Sequence, residues 1–151
     1  MQSTEEKYLT FEAGGLYAVP ICRVREILNN TAGITPVPGF PSYARGIIQL
    51  RGDVVPVIDL RRRFGVEEPA SFCVVVMENE MTDEPVGFAV DRVCAVEDML
   101  TDDIKKPPRL IKGADYIEGV CRKDDALVLI LSPERLVTKE FMDAVGSALK
   151  K

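Results

Sequence analysis

Apolar positions fall in short runs of strand length along most of the chain, some alternating and some continuous, and a longer helical period appears near the C-terminus. Tyr8-Leu9-Thr10-Phe11-Glu12 alternates, Ala13-Gly14-Gly15 supplies a turn, and Leu16-Tyr17-Ala18-Val19 returns, so a β-hairpin opens the domain. From Pro20 to Asn30 the pattern gives two readings. Val24, Ile27 and Leu28 have the i, i+3, i+4 spacing of a helical face, while Arg23, Arg25 and Glu26 point elsewhere, which suits a short helix, or a strand edge leading into one. Gly33 to Pro38 is too proline-rich for a central strand, and loop continues through Ser42. In Tyr43 to Gly65, YARGIIQLRGDVVPVIDLRRRFG, two short β-branched runs flank Arg51-Gly52-Asp53, which predicts a second hairpin whose turn takes positive φ. Asp59 then stands where a carboxylate caps a first helical turn, worth about 1 kcal/mol, and Gly65 suits a left-handed stop.

Beyond a polar link at Val66 to Ala70, Phe72 to Met77 is a nearly continuous apolar strand of the kind buried on both faces. Glu78 to Pro85 reads as an acidic loop and Val86 to Val90 as the returning strand. Tyr43-Ala44-Arg45-Gly46-Ile47 then lies against Tyr116-Ile117-Glu118-Gly119-Val120 at a constant offset of 73 positions. Held at that offset, Val54 to Ile58 falls on Leu127 to Leu131, and the capping Asp59 falls on Ser132. Upstream, Arg23-Val24 matches Arg92-Val93 once a short gap is allowed. Gly46 and Gly119, each inside a strand, mark a bulge or the close approach of another backbone. Pro133 fits a first helical position, and Val137, Phe141, Val145, Ala148 and Leu149 share one face of a C-terminal helix over about 133–149. The expected architecture is one mostly β domain over 1–151: two related units, about 8–65 and 72–138, in a pseudo-two-fold pair of closed barrels of about five strands with a shared apolar seam.

Composition narrows function more than fold. The 151 residues suffice for a core without staples, burying roughly 68–70% of the extended surface. A hydrophobic share of 46% and a charged share of 28% are those of an ordinary soluble domain; no secretory signal or membrane-spanning run is evident, and the cytoplasm is the expected compartment. The net charge of −5 argues against nucleic acid, which needs a concentrated positive surface. There is no histidine, which removes the commonest general base and the Ser-His-Asp triad. Cys22, Cys73, Cys94 and Cys121 are widely spaced, so a metal site is not expected, and Cys73, Cys94 and Cys121 read as small core hydrophobes. Asp124-Asp125 and Asp102-Asp103 fit a hairpin turn and the acidic first turn of a short helix ended by Pro107-Pro108. A carboxylate enzyme would need a deep polar cleft, and none is expected, nor any cofactor. Arg51 is different. A guanidinium on a hairpin shoulder offers five donors in a rigid fork, suited to a carboxylate or carbonyls on a partner.

The run from Tyr43 to Gly65 closely resembles the CheW family of bacterial chemotaxis adaptors, and the likeness extends through VREIL at Val24, ITPVP at Ile34, VGFAVDRV at Val86 and YIEGV at Tyr116. The resemblance covers about residues 8 to 138. It implies two SH3-like five-stranded barrels around a common hydrophobic core, with short helices and a C-terminal helix. It implies no enzyme, but a coupler that joins the regulatory domain of the histidine kinase CheA to the cytoplasmic tip of methyl-accepting chemoreceptors, recruited to membrane-associated arrays without inserting. A CheW-like scaffold of another chemosensory array, for pilus motility or gene regulation, is the alternative. Carried over by position, the partner-binding groove falls on Val24, Glu26, Ile27, Gly46, Arg51 and Val74. Pro20, Cys22 and the acids between Met77 and Pro85 depart from the family pattern and bear on which receptor or kinase is cognate.

Overall fold

Strands dominate because most apolar runs are too short and too β-branched for helices. The structure, a computed structural model, describes residues 4–29, 33–66, 72–79, 84–108 and 114–149. In chain order the strands are β1 Glu5–Glu12, β2 Leu16–Pro20, β3 Val24–Leu28, β4 Ala44–Leu50, β5 Asp53–Asp59, β6 Cys73–Asn79, β7 Glu84–Val90, β8 Arg92–Leu100, β9 Ile104–Lys105, β10 Ile117–Lys123 and β11 Ala126–Leu131. The helices are α1 Leu60–Arg63, α2 Pro133–Leu136 and α3 Lys139–Leu149. The strands form two sheets. One has six strands in the order β8-β1-β2-β11-β10-β9, the other five in the order β3-β6-β7-β5-β4. All pairings are antiparallel except β2 with β11 and β5 with β7.

The buried apolar residues fall into three clusters, and strand periodicity explains why. Tyr8, Ala18, Met99, Cys121, Val128 and Ile130 fill the interior of the six-stranded sheet. Ile48, Val55, Val57, Val74, Val76 and Ala89 fill that of the five-stranded one. The third and largest cluster lies between them, with Leu9, Phe11, Val19, Ile58, Val75, Met77, Phe88 and Leu131 joined by Leu136 of α2 and Phe141 and Val145 of α3. Along β6 the residues alternate between the barrel interior (Val74, Val76) and the seam (Val75, Met77), which is why that strand is apolar from Cys73 to Met77.

Several expectations are corrected. Pro20 to Asn30 does not hold a short helix: a 3₁₀ turn at Ile21–Arg23 leads into β3, whose burial alternates residue by residue with Ile27 exposed. The helix-like spacing of Val24, Ile27 and Leu28 had no common face behind it. Pairing with the apolar run Val74 to Met77 of β6 decides the matter. The C-terminal helix is broken. Val137 is extended, and Thr138 starts α3 by accepting from the Phe141 N–H at 3.1 Å. The side chains of Ala148 and Leu149 lie outside those described. Asp102-Asp103 stand in a three-residue 3₁₀ turn that runs into β9, not in a helix reaching the prolines. Within Glu78 to Pro85 the strands extend to Asn79 and resume at Glu84, leaving 80–83 outside the described residues, as are 67–70 of the polar link. Cys94 is exposed on β8, whereas Cys73 and Cys121 are buried.

Local chemistry is otherwise as the residues dictate. Asp59 accepts from Arg62 N at 3.2 Å and Ser132 from Arg135 N at 3.4 Å, each capping the short helix after it, and Gly65 is left-handed at φ 76°. Gly46 meets both halves of its expectation. The register slips between Ala44 and Gly46, and a Cβ at its φ of 139° would collide with the Thr35 carbonyl of the loop bridged to Ile47. The sheets do not divide the chain where the repeats do: β1 and β2 lie with β8 to β11, and β6 and β7 with β3 to β5.

Candidate partner-binding surface

β3 and β4 are the two outer strands of the five-stranded sheet, and a side-chain pair brings them together. The turn between β4 and β5 places Arg51 and Gly52 in left-handed conformation, at φ 51° and 87°, the geometry of a tight hairpin. From that shoulder Arg51 Nη2 donates to Glu26 Oε1 on β3 at 3.1 Å. The pair is asymmetric: the Arg51 side chain is 76% exposed, that of Glu26 only 23%. Glu26 Oε2 is buried and has no hydrogen-bond partner among the described residues. Such an oxygen is costly to leave unsatisfied. Beside it, Arg25 Nε lies 3.7 Å from Glu78 Oε1. Arg25, Glu26, Leu50, Arg51, Asp53 and Val55 enclose a cavity of only about 10 Å³, which has no room for a small-molecule ligand.

The six residues marked from the sequence divide by burial. Glu26 and Arg51 meet on the barrel side of β3, whereas Ile27, the next residue along the strand, points to the opposite face and is 36% exposed. Val24 is half-buried and packs against the seam. Gly46 is buried under Thr35, and Val74 is wholly buried inside the sheet. Those two shape the surface from beneath. Val54, one residue past the Gly52-Asp53 turn, is 39% exposed and was not singled out, because the run Val54 to Ile58 gives no alternation from which to read its outward face. Arg45 was likewise missed: its Nε donates to the buried Asp59 Oδ2 at 2.8 Å and its guanidinium lies 4.1 Å from the centre of the Phe72 ring, so it is a framework residue. Among the described residues no group of three His, Cys, Asp or Glu side chains could hold a metal ion. A charged fork, a half-satisfied carboxylate and an apolar β-branched side chain suit recognition of a partner surface.

Comparison with known proteins agrees with the sequence motifs. The family described as CheW-like domain matches residues 7–141. The chain is 30% identical to the chemotaxis protein CheW of Treponema pallidum, over 92% of this chain and 86% of that one. It is 35% identical to that of Helicobacter pylori, over 83% of this chain and 76% of that one. The solved structure of the scaffolding protein TtCheW from Thermoanaerobacter tengcongensis superposes with a TM-score of 0.83 at 28% identity, covering 91% of this chain and 96% of that one. The family match spans most of the chain: this protein belongs to the CheW-like family.

Proposed function

We propose that this chain is a chemotaxis adaptor that couples the cytoplasmic tip of chemoreceptors to the regulatory domain of the histidine kinase CheA, without catalysing a reaction itself. The whole chain acts as one unit, recruited by its partners to membrane-associated receptor arrays. The observation that carries the reading is the Glu26–Arg51 pair, with an exposed guanidinium on one side and a buried, unpartnered carboxylate oxygen on the other. A receptor helix laid along β3 buries Ile27, and Arg51 fixes its register through a carboxylate or a carbonyl. Val24, Gly46 and Val74 support that surface from the seam and the barrel interior.

The test is reconstitution. Purified chain is mixed with receptor tips and CheA, the complex is sedimented and kinase activity is followed. Retention of the chain in a ternary complex, with kinase activity that depends on it, is expected; failure to bind either partner overturns the reading.

A further inference from the structure

Held at the offset of 73, the two repeats share the backbone and capping bonds that close each unit. Asp59 N donates to Tyr43 O at 2.8 Å and Ser132 N to Tyr116 O at 2.9 Å. The guanidinium groups of Arg62 and Arg135 reach back to the carbonyls of Ser42 and Asp115, at 3.3 and 3.0 Å. The gapped part of the repeat is equally regular: β3 and β8 each slip register early, and then Ile27 faces Val75 of β6 as Val96 faces Leu9 of β1. With β3 matched to β8, β4 to β10 and β5 to β11, the sheet orders β8-β1-β2-β11-β10 and β3-β6-β7-β5-β4 become the same order. Each sheet therefore takes its first hairpin from the other repeat. β1–β2 completes the sheet whose remaining strands follow residue 91, and β6–β7 completes the one whose remaining strands precede residue 60.

This exchange leaves neither half with a finished sheet. The ladders β1 to β8, β2 to β11, β3 to β6 and β5 to β7 all run between residues 4–66 and residues 72–149. The ion pairs Lys7–Asp98, Glu12–Arg92, Arg61–Asp91 and Arg23–Glu134 cross the same divide. We infer that a second copy of this chain can supply either half, so that two chains close into an exchanged dimer containing every ladder and ion pair of the monomer twice. No new contact is required. The balance is set by effective concentration: a chain's own second half is the nearest partner in dilute solution, and another chain's half competes as protein concentration rises during folding. This rests on sheet topology alone and is independent of which partners the chain couples.

Lys7 and Asp98 give the means to test it, since they face one another across β1 and β8, both are exposed, and Nζ lies 2.8 Å from Oδ1. The exposed thiols are first removed as C22S and C94S. Lys7→Cys and Asp98→Cys chains are then mixed, unfolded in urea, refolded together and oxidised. A covalent heterodimer of the two variants is expected, its share rising with the concentration at refolding and absent when the two are mixed already folded. Light scattering on unsubstituted chain refolded the same way is the second readout, and a dimer that survives dilution is expected. Only monomer after concentrated refolding, or heterodimers no more frequent than homodimers of either variant, overturns the inference.

Discussion

Arg51 is a poor residue for the turn it occupies. A left-handed conformation costs a residue with a Cβ about 1–2 kcal/mol, less for Asn or Asp, whose side chains bond locally. The matching turn in the second repeat uses Asp124 and Asp125 at φ 48° and 67°, whereas Arg51 sits at 51° with little burial in return. Its exposed ion pair contributes no more than about 1 kcal/mol. Arg51→Ala keeps the backbone cost and removes only the fork, so its urea midpoint is expected to stay near that of the parent while ternary assembly weakens. Arg51→Asn relieves the turn and is expected to gain about 0.5–1 kcal/mol while assembly falls as in the alanine variant. A loss above about 2 kcal/mol in either variant would make Arg51 structural. Gly46→Ala behaves in the opposite way: the collision with the Thr35 carbonyl is expected to cost about 3 kcal/mol or more, so binding and stability fall together in the same denaturation series. The thiols separate equally clearly. Burial pushes Cys73 and Cys121 up from the ordinary thiol value, so in both the folded state favours the protonated form. Their contribution to stability is complete below the unfolded thiol pKa of about 8.5 and declines as pH rises toward the raised folded values. Melting temperature is therefore expected to fall from about pH 8.5 upward, and a thiol reagent at neutral pH to titrate Cys22 and Cys94 in the native chain and all four cysteines after unfolding.

At the scale of elements, whatever depends on neighbours in sequence was legible. The Asp59 and Ser132 caps, the Pro133 start and the left-handed Gly65 rest on contacts within a single turn, and the first two hairpins on ladders that close directly around short turns, so residue type alone announces them. What failed depends on remote partners. β8 has no strong alternation and is held by β1, which precedes it by most of the chain. β3 passes for a helix until β6 is beside it. The break between α2 and α3 follows from extended Val137 and the Thr138 cap, and the Thr138 hydroxyl also hydrogen-bonds the Tyr43 hydroxyl. For the candidate surface, the motifs gave positions but not facing, so the buried Gly46 and Val74 were grouped with the solvent-reaching Glu26, Ile27 and Arg51. α3 packs on the seam through Phe141 and Val145. Phe141 is fully buried, edge-on to Phe40 at 5.6 Å between ring centres and 6.2 Å from Tyr43. Phe141→Ala is expected to cost about 3–5 kcal/mol in urea titration; a cost below about 1 kcal/mol would mean that α3 is not part of the core.

At the scale of the molecule, membership of the family and two β units were legible from motifs and repeat, but the exchange of hairpins was not. Alternation and turn residues say which strands exist and leave their neighbours open. The exchange bears on how the chain unfolds. Two barrels side by side, each made from its own half of the sequence, can melt one at a time. Here each sheet draws strands from both halves, and the seam between them carries Phe11, Phe88 and Leu131 together with Arg63, whose guanidinium lies 5.5 Å from the ring centre of Tyr43 and 4.9 Å from that of its repeat counterpart Tyr116. Opening either sheet strips strands from the half that completes the other. Calorimetry is therefore expected to give one transition whose van't Hoff and calorimetric enthalpies agree. The sharper form of the test places a cavity in one barrel at a time. Val74 is wholly buried inside the five-stranded sheet and Ile130 inside the six-stranded one. Truncating each to Ala removes about 2 kcal/mol or more, and for a domain of this size each kcal/mol lowers the melting temperature by about 2–4 °C. Both variants are expected to move the same single transition. If Val74→Ala instead splits the trace, leaving one component at the parental temperature, the sheets unfold independently and the hairpins crossing between the halves do not couple them.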